Sequence, residues 1–233
     1  MSDYFYIDRL DSDMVTIPAD EARHLVKVLR KKAGDTVLLT DGKGVRFHGI
    51  LESTEYDYCT LRIVKSEKDF GKRPYGLHIA IAPTKNLDRI EWFVEKSTEI
   101  GIDTITPLIC TRSERRELRI DRLQKIAIAA MKQSRQTFLP EILHPIYFNE
   151  ILKVDEGQRF ICHLEESNPL QLVHMVKKGG RFLILIGPEG DFTEDELIRA
   201  TESGFRCVAL GHHRLRTETA GLTACSIISM CNI

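Results

Sequence analysis

Hydrophobic and polar residues are most clearly patterned in the last quarter of the chain. Residues 182–186 form an apolar, β-branched run of the length that is typical of a strand buried on both faces. The segment 187–190 (Gly-Pro-Glu-Gly) interrupts this run, because glycine frees the backbone and proline fixes φ. Thr193 and Glu196 then stand at capping-box spacing, which predicts an amphipathic helix that ends near Gly204.

A second short apolar run follows at residues 207–210 and ends at Gly211. The pattern therefore predicts two parallel strands whose carboxyl ends both lead into glycine-bearing loops. In open α/β sheets, ligands bind in the crevice beyond the carboxyl ends of the strands. We therefore expect the functional site at this edge of the sheet.

Strand and helix patterns alternate throughout the region from residue 77 onward. Strands are predicted at 77–82, 104–109 and 159–164, and helices at 86–101, about 119–136 and about 219–230. Strands separated by helix-length segments favour an α/β fold with a mostly parallel sheet flanked by helices.

Residues 4–64 show a different, β-rich pattern. One helix is predicted where Ala22, Leu25, Val26 and Leu29 share a face, and a hairpin where an Asp-Gly pair stands at 41–42. The polar segment 66–76 holds two glycines and a proline, which indicates a boundary. The sequence therefore predicts a small β-rich domain at 1–70 and an α/β domain at 77–233.

Composition excludes several classes of protein. The chain has 233 residues and a formal net charge of −1, which argues against a wholesale polyanion binder but does not exclude a local basic face. Six scattered cysteines without a CxxC pair are interpreted as reduced, buried thiols, and no metal site is expected. The N-terminus does not resemble a signal peptide, and no apolar stretch reaches the roughly 20 residues of a membrane span. We expect a cytoplasmic protein with no membrane partner.

The residues that follow the last strand are the first candidates for chemistry. Arg216 and Glu218 lie between a buried strand and an apolar helix, at the mouth of the sheet. A helix N-terminus favours an acid, so capping explains Glu218 as well as catalysis does. Arg216 has no such local explanation, and we interpret it as functional. The glycine loops at 187–190 and 211 suit either a ligand that touches backbone or two ordinary turns.

Two basic clusters are candidate phosphate contacts, although a charge run is often only a solvated face. The first lies between residues 112 and 135, where Lys and Arg outnumber acids eight to three. The second is a smaller group near residue 30. The candidate phosphate contacts are Lys27, Arg30, Arg112, Arg122, Lys125, Lys132 and Arg135.

Four motifs in order resemble the RsmE family of ribosomal RNA methyltransferases in the SPOUT superfamily. Residues 185–190 are similar to its GPEGG motif, and 210–220 to its LGxRILRxETA motif. Lys85 with Asp88-Arg89, followed by 95–101, resembles the family's helix ending in K-x-T-E-L-G. Residues 133–135 (Gln-Ser-Arg) are similar to its E-Q-S-x-R segment. The resemblance covers nearly the whole chain.

The resemblance implies a PUA-like N-terminal domain and a C-terminal domain tied in a trefoil knot. It also implies a homodimer through that domain, S-adenosylmethionine as methyl donor, and methylation at N3 of a uridine in 16S ribosomal RNA of the small ribosomal subunit. Methyl transfer from a sulfonium requires no metal. Lys85 joins the candidate RNA contacts.

Residue roles follow from the same resemblance. Arg216 is expected to stabilise charge on the uracil or to bind phosphate, and Glu218 is the nearest candidate base. Backbone groups of Leu210 and Leu215 are expected to meet adenine. The implied cofactor-binding residues are Leu164, Ile186, Gly187, Pro188, Glu189, Gly190, Leu210, Gly211, Leu215, Thr217, Thr219 and Ala220.

The chain departs from the family pattern at two loop positions. Asp191 stands where the second glycine of GPEGG is usual, and His213 where an arginine is common. Two alternatives remain open: a non-catalytic RNA-binding protein with the same fold, and a dehydrogenase with a nucleotide cofactor. The absence of a G-x-G-x-x-G fingerprint counts against the dehydrogenase.

Overall fold

A computed structural model describes residues 4–10, 12–55, 58–155, 157–164 and 170–233. These residues form two compact units. The first comprises Met1–Lys72 together with Ile128–Leu139, and the second comprises Arg73–Ala127 together with Pro140–Ile233. No helix in the described part of the chain combines the length and hydropathy that crossing a bilayer requires.

The first unit is built on a five-stranded sheet. Its strands are β1 (Phe5–Tyr6), β2 (Met14–Pro18), β3 (Thr36–Thr40), β4 (Arg46–Thr54) and β5 (Tyr58–Glu67). They lie in the order β1-β3-β4-β5-β2, and every pair is antiparallel except β1 with β3. Helix α1 (Ala19–Arg23) continues into a π-helical segment, His24–Val28. The predicted helix is confirmed: Ala22 and Leu25 are buried on its inner face.

The predicted Asp-Gly hairpin connects β3 to β4. Asp41 Oδ1 accepts hydrogen bonds from the backbone amides of Lys43 (2.8 Å) and Val45 (3.1 Å). Gly44 has φ +94°, and a Cβ there would lie 2.4 Å from the ring of Phe138. The glycines at this turn therefore serve backbone geometry and close packing, as the predicted hairpin requires.

Glu67 on β5 provides a prediction about pH. Lys65, His48 and Arg46 all donate to its carboxylate, and these hydrogen bonds lower the pKa of Glu67 to about 2. The folded-state pKa lies below the unfolded value of about 4.3, so the ionised carboxylate stabilises the fold at pH values above about 4.3. This stabilisation is lost as the pH falls through about 2. Glu67→Gln should therefore reduce the loss of unfolding free energy between about pH 5 and pH 2.

Urea unfolding at a series of pH values measures this slope. Glu55→Gln removes an exposed carboxyl from the same unit and should keep the wild-type slope. An unchanged slope in Glu67→Gln would show that the three donors do not hold the Glu67 carboxylate in solution.

The second unit contains the predicted parallel sheet. Its strands are β6 (Tyr75–Ile81), β7 (Thr104–Ile109), β8 (Glu141–Ile142), β9 (Ile146–Tyr147), β10 (Gln158–Cys162), β11 (Gly180–Ile186) and β12 (Arg206–Val208). The order is β12-β10-β11-β6-β7-β8, with β9 also paired to β7. All these pairs are parallel. The α/β fold class is confirmed.

Helices connect these strands. They are α2 (Leu87–Ile100), α3 (Ile120–Ser134), α4 (Phe148–Ile151), α5 (Leu172–Met175), α6 (Glu194–Glu202) and α7 (Thr217–Cys231). The residues that were predicted to begin or end helices α2 and α6 are confirmed in these roles. Asn86 Oδ1 accepts from the Asp88 amide at the start of α2, and Gly101 (φ +113°) ends it. Thr193 and Glu196 form the reciprocal capping box of α6.

The end of α3 belongs to a different unit from the one that the sequence predicts. Residues 128–139 were assigned to the α/β domain, but the structure groups them with the first unit. The backbone carbonyl of Lys132 accepts from Tyr4 (3.4 Å), and that of Thr137 from Gly44 (2.8 Å). Helical periodicity shows which face of a helix is buried but not which neighbour buries it, so the sequence could not detect this. The domain limits otherwise remain a prediction.

Candidate active site

A cavity of about 330 Å³ opens at the carboxyl ends of β10, β11 and β12. This is the edge that the strand pattern predicts for a ligand site. Three segments of the second unit form its walls. The lining residues are Cys162, His163, Leu164, Ile186, Gly187, Pro188, Glu189, Asp191, Leu210, Gly211, His213, Arg214, Leu215, Arg216, Thr217 and Ala220.

The loop after β11 is a tight turn. The Asp191 amide donates to the Pro188 carbonyl at 2.9 Å, and Asp191 adopts a left-handed conformation with φ +61°. At Gly187 an added Cβ would lie 3.1 Å from the Phe192 ring, which is itself buried. The lack of a side chain at 187 therefore lets the loop pack closely over Phe192 and present its backbone to the cavity.

Two arginines hold this loop through its carbonyl groups. Arg112 Nη1 donates to the carbonyls of Gly190 (2.8 Å) and Phe192 (3.1 Å). Arg214 Nη2 donates to the carbonyl of Glu189 (3.1 Å). The guanidinium of Arg112 thus fixes the loop, and its contact with RNA stays a prediction. These contacts pre-organise the backbone that a ligand would meet, which reduces the entropy lost on binding.

The Glu189 side chain holds the neighbouring loop after β6. Its Oε1 accepts from the backbone amide of Lys85 at 3.0 Å, and Arg115 Nη2 donates to the Lys85 carbonyl at 3.2 Å. Lys85 Nζ lies 3.0 Å from Glu114 Oε2, and both side chains are exposed. Lys85 therefore belongs to a loop whose backbone Glu189 and Arg115 hold in place.

The start of α7 is tied to the same loop. Thr217 is 5% exposed, and its Oγ1 donates to the Gly187 carbonyl at 3.0 Å. This hydrogen bond joins two motifs that are separated by thirty positions in the sequence. The structure therefore brings the two glycine loops and the final helix together around one cavity.

Most of the predicted cofactor-binding residues line this cavity. The ones that do are Leu164, Ile186, Gly187, Pro188, Glu189, Leu210, Gly211, Leu215, Thr217 and Ala220. Gly190 and Thr219 are not among the lining residues. Gly190 instead approaches Arg112, because a Cβ there would be 3.3 Å from that side chain.

Arg216 lies at the mouth of the cavity, and its guanidinium has no ion-pair or hydrogen-bond partner among the described residues. It precedes α7 as its N-cap, its side chain is exposed, and it lines the cavity. An arginine that lines a cavity without an internal partner is available to an anionic ligand or to developing negative charge.

Glu218 is turned away from the cavity. Successive helical positions are about 100° apart, so Glu218 points away from the side that Thr217 presents. It is 8% exposed and faces Arg89 on α2, with Glu218 Oε1 and Arg89 Nε 3.7 Å apart. Its Oε2 has no hydrogen-bond partner among the described residues. The structure therefore does not bring the predicted candidate base to the site.

Sequence reasoning did not nominate five residues that line the cavity. They are Cys162, His163, Asp191, His213 and Arg214. Asp191 and His213 were noticed only as departures from a family pattern. His163 directly follows β10, and its position beside Leu164 was the signal that could have identified it.

The candidate RNA contacts differ in their exposure and in whether an acidic side chain already pairs with them. Arg122 is paired with Glu91 on α2 (2.6 Å), and Lys132 is paired with Glu21 in the first unit. Lys125 is exposed and has no partner among the described residues. Lys27 and Arg30 are exposed, and Arg135 is half-buried.

The cysteines and possible metal ligands provide no further chemistry. All six cysteines are free; three are buried and three are half-buried. Burial raises the pKa of the Cys225 thiol to about 12 and also raises the pKa of Cys110 and Cys162. In the described ranges, no group of three or more His, Cys, Asp or Glu side chains is arranged to hold a metal ion.

Comparison with known families identifies the class of protein to which the chain belongs. Residues 71–229 match a family model described as an RNA methyltransferase domain. Residues 17–64 match a model described as an RNA methyltransferase PUA domain. The fold and the site thus correspond to an RNA methyltransferase with an N-terminal PUA domain.

Individual relatives narrow the class. The chain is 30% identical over 221 residues to ribosomal RNA small subunit methyltransferase E of Rickettsia conorii, covering 92% of this chain and 88% of the relative. A probable rRNA methyltransferase from Porphyromonas gingivalis matches 99% of this chain and 98% of its own, with 38% identity and a TM-score of 0.91. Methyltransferase E from Neisseria gonorrhoeae, bound to S-adenosylmethionine, has 29% identity and a TM-score of 0.89, covering 100% and 98%. This chain belongs to the ribosomal RNA small subunit methyltransferase E family.

Proposed function

We propose that this protein transfers the methyl group of S-adenosylmethionine to N3 of a uridine in 16S ribosomal RNA. The observation that carries the proposal is the cavity in which two glycine loops meet an arginine without an internal partner. The Neisseria gonorrhoeae relative, whose structure contains S-adenosylmethionine, aligns with the whole of this chain. The relatives' shared name supports the small ribosomal subunit RNA as substrate.

The cavity fits such a cofactor in both size and chemistry. Its volume of about 330 Å³ lies within the range of roughly 300–1,000 Å³ that is usual for small-molecule sites. Leu164, Leu210, Leu215 and Ala220 give apolar surface for a base and ribose. Gly211 has φ +133° and nothing within 4 Å of an added Cβ, so its backbone is openly accessible.

The residues divide naturally between the two ends of the cofactor. The backbone at Leu210 and Leu215 would hold adenine, with Leu164 as an apolar wall. The loop at Gly187–Glu189 would cover the methyl-donor end, held in place by Thr217 and Arg214. Pre-organised backbone of this kind aligns donor and acceptor, which is a large part of the rate enhancement in a two-substrate transfer.

The chemistry requires an electrophile and the removal of a proton. The bound cofactor supplies an electrophilic methyl group on a sulfonium. Attack through N3 requires the N3–H proton of the uracil to leave, which places negative charge on the flanking carbonyl oxygens. The Arg216 guanidinium is positioned to stabilise that charge. Glu218 faces Arg89 and not the cavity, so the N3 proton is expected to pass to solvent water.

Several properties of the family extend this proposal. We expect a homodimer formed through the second unit, and a cytoplasmic protein. We also expect the trefoil knot that the family resemblance implies. The PUA domain, together with basic residues of each unit, is proposed to bind the RNA.

A substitution at Lys125 tests whether these basic residues bind RNA. Because the side chain is exposed and has no partner among the residues that the structure describes, Lys125→Ala should weaken RNA binding and reduce the salt slope, −d log K/d log[salt], by about 1. Arg122→Ala is the matched control on the same helix: its guanidinium is already paired with Glu91, so a smaller change is expected. Filter binding to a 16S fragment at several salt concentrations measures both slopes. Equal slopes in wild type and Lys125→Ala would remove this lysine from the footprint.

One experiment separates the proposal from its alternatives. Purified protein is incubated with tritiated S-adenosylmethionine and small subunits from cells that lack the enzyme, and the modified base is mapped by mass spectrometry. We expect one N3-methylated uridine in 16S RNA. RNA binding without methyl incorporation would favour the non-catalytic protein. Thermal stabilisation by NAD, and not by S-adenosylmethionine, would favour the dehydrogenase.

A further inference from the structure

The wall of the cavity contains a His–Asp contact that none of the motifs assigns. His163 Nδ1 lies 2.8 Å from Asp191 Oδ2, and both side chains line the cavity. A carboxylate has no proton at neutral pH, so the Nδ1–H of His163 is the donor. The His163 side chain is 16% exposed and the Asp191 side chain 36%, so water screens the contact only partly.

The two residues follow different strands of the sheet. His163 directly follows β10, and its backbone amide donates to the Val208 carbonyl at 3.0 Å, which anchors it to β12. Asp191 belongs to the glycine loop that follows β11. The other contacts of this loop lead to Lys85, Arg112, Arg214 and Thr217. The His163 contact ties the loop to the end of β10, and both residues of the contact line the cavity.

The backbone at Asp191 shows why an aspartate stands there. The residue has φ +61°, a conformation that glycine adopts freely and that other residues adopt rarely. Its Oδ1 accepts from the Phe192 amide at 2.7 Å while Oδ2 accepts from His163. The side chain thus compensates for the backbone strain by holding both its own turn and the neighbouring strand. A glycine would relieve the strain but provide neither bond.

We propose that His163 and Asp191 form a latch that keeps the glycine loop closed over the cavity and thereby sets the affinity for the methyl donor. Both are positioning residues: they act by fixing the loop backbone that meets the cofactor. The inference rests on the proposed function for the identity of that ligand, but the holding of the loop itself does not depend on it.

A double-mutant cycle in the full-length protein tests the latch. Asp191→Gly and His163→Ala should each weaken binding of S-adenosylmethionine by about tenfold, and the double variant should bind no worse than either single one, because all remove the same contact. Asp191→Asn keeps an acceptor and tolerates the left-handed backbone, so it should recover part of the affinity. KM for the cofactor should rise while kcat changes little. Asp195→Asn, which breaks the Arg199 pair on α6, is the control and should bind as wild type does.

Amide hydrogen exchange of residues 187–192 without cofactor provides an independent readout. Exchange should accelerate in Asp191→Gly and His163→Ala and not in Asp195→Asn. Unchanged affinity and exchange in both latch variants, or losses that multiply in the double variant, would overturn the latch. If wild-type protein bound no S-adenosylmethionine, the proposed function would fail, while the exchange data would still decide whether the pair holds the loop.

Discussion

Arg216→Ala should reduce the rate of methyl transfer by about 10²- to 10³-fold while leaving cofactor affinity within a few-fold of wild type. The reason is that its guanidinium lines the cavity without an internal partner, so its charge is available to the substrate as negative charge develops. Removal of one pre-organised donor to a developing oxyanion typically has an effect of about this size. Single-turnover transfer to small subunits, combined with calorimetric titration of S-adenosylmethionine, measures the two quantities separately.

Arg214→Ala is the matched control for this prediction. Arg214 lies in the same segment and lines the same cavity, but it donates to the Glu189 carbonyl. Its loss should therefore loosen the loop and weaken cofactor binding more than it slows the bound complex. If Arg216→Ala instead lost cofactor affinity and retained the single-turnover rate, Arg216 would be a cofactor ligand and the proposed electrostatic role would be wrong.

Gly221→Val should destabilise the second unit by about 3 kcal/mol, the upper end of the usual cost of overpacking a core. A Cβ at Gly221 would lie 2.7 Å from the Phe93 ring and 2.9 Å from Ile81 Cδ1. Phe93 and Ile81 are fully buried, so neither can move without disturbing α2 or β6. We expect Tm to fall by about 10 °C and cofactor affinity to fall with it, because α7 carries Thr217 and Ala220 into the cavity.

Thr223→Val provides the control in the same helix. Thr223 is half-buried, and the change keeps a β-branched side chain of similar volume, so helix propensity changes little. Its Tm should remain close to that of wild type. A Gly221→Val protein as stable as the wild type would show that α7 does not approach α2 this closely in solution.

Local signals predicted the long elements well. The capping residues Asn86 and Thr193, and the stop at Gly101, act through bonds within a few residues, so the sequence contains all the information that they need. The short elements β1, β2, β8, β9, α4 and α5 were not predicted. Most of these segments are too short to show a period, and they are stabilised by neighbours distant in sequence, as β9 is by β7.

The candidate site was predicted in part. The motifs supplied most of the residues that line the cavity, and the strand pattern supplied the edge at which it lies. That Glu218 lies outside the cavity could not be predicted, because the sequence does not reveal which way the first turn of α7 faces. The partner of Arg122 was missed for a related reason: Glu91 lies 31 positions away, on a different helix. A charge run in a sequence does not show which of its members are already neutralised.

The sequence by itself determined the alternation of strands and helices, the glycine loops at two strand ends, and the arginine beside them. These features depend on backbone propensity and on periodicity, which act over a few residues. Only the tertiary structure decided that β10 lies between β11 and β12, and that His163 consequently reaches Asp191. Strand order is set by the packing of whole elements, and hydrogen bonds between distant residues exist only after that packing has formed.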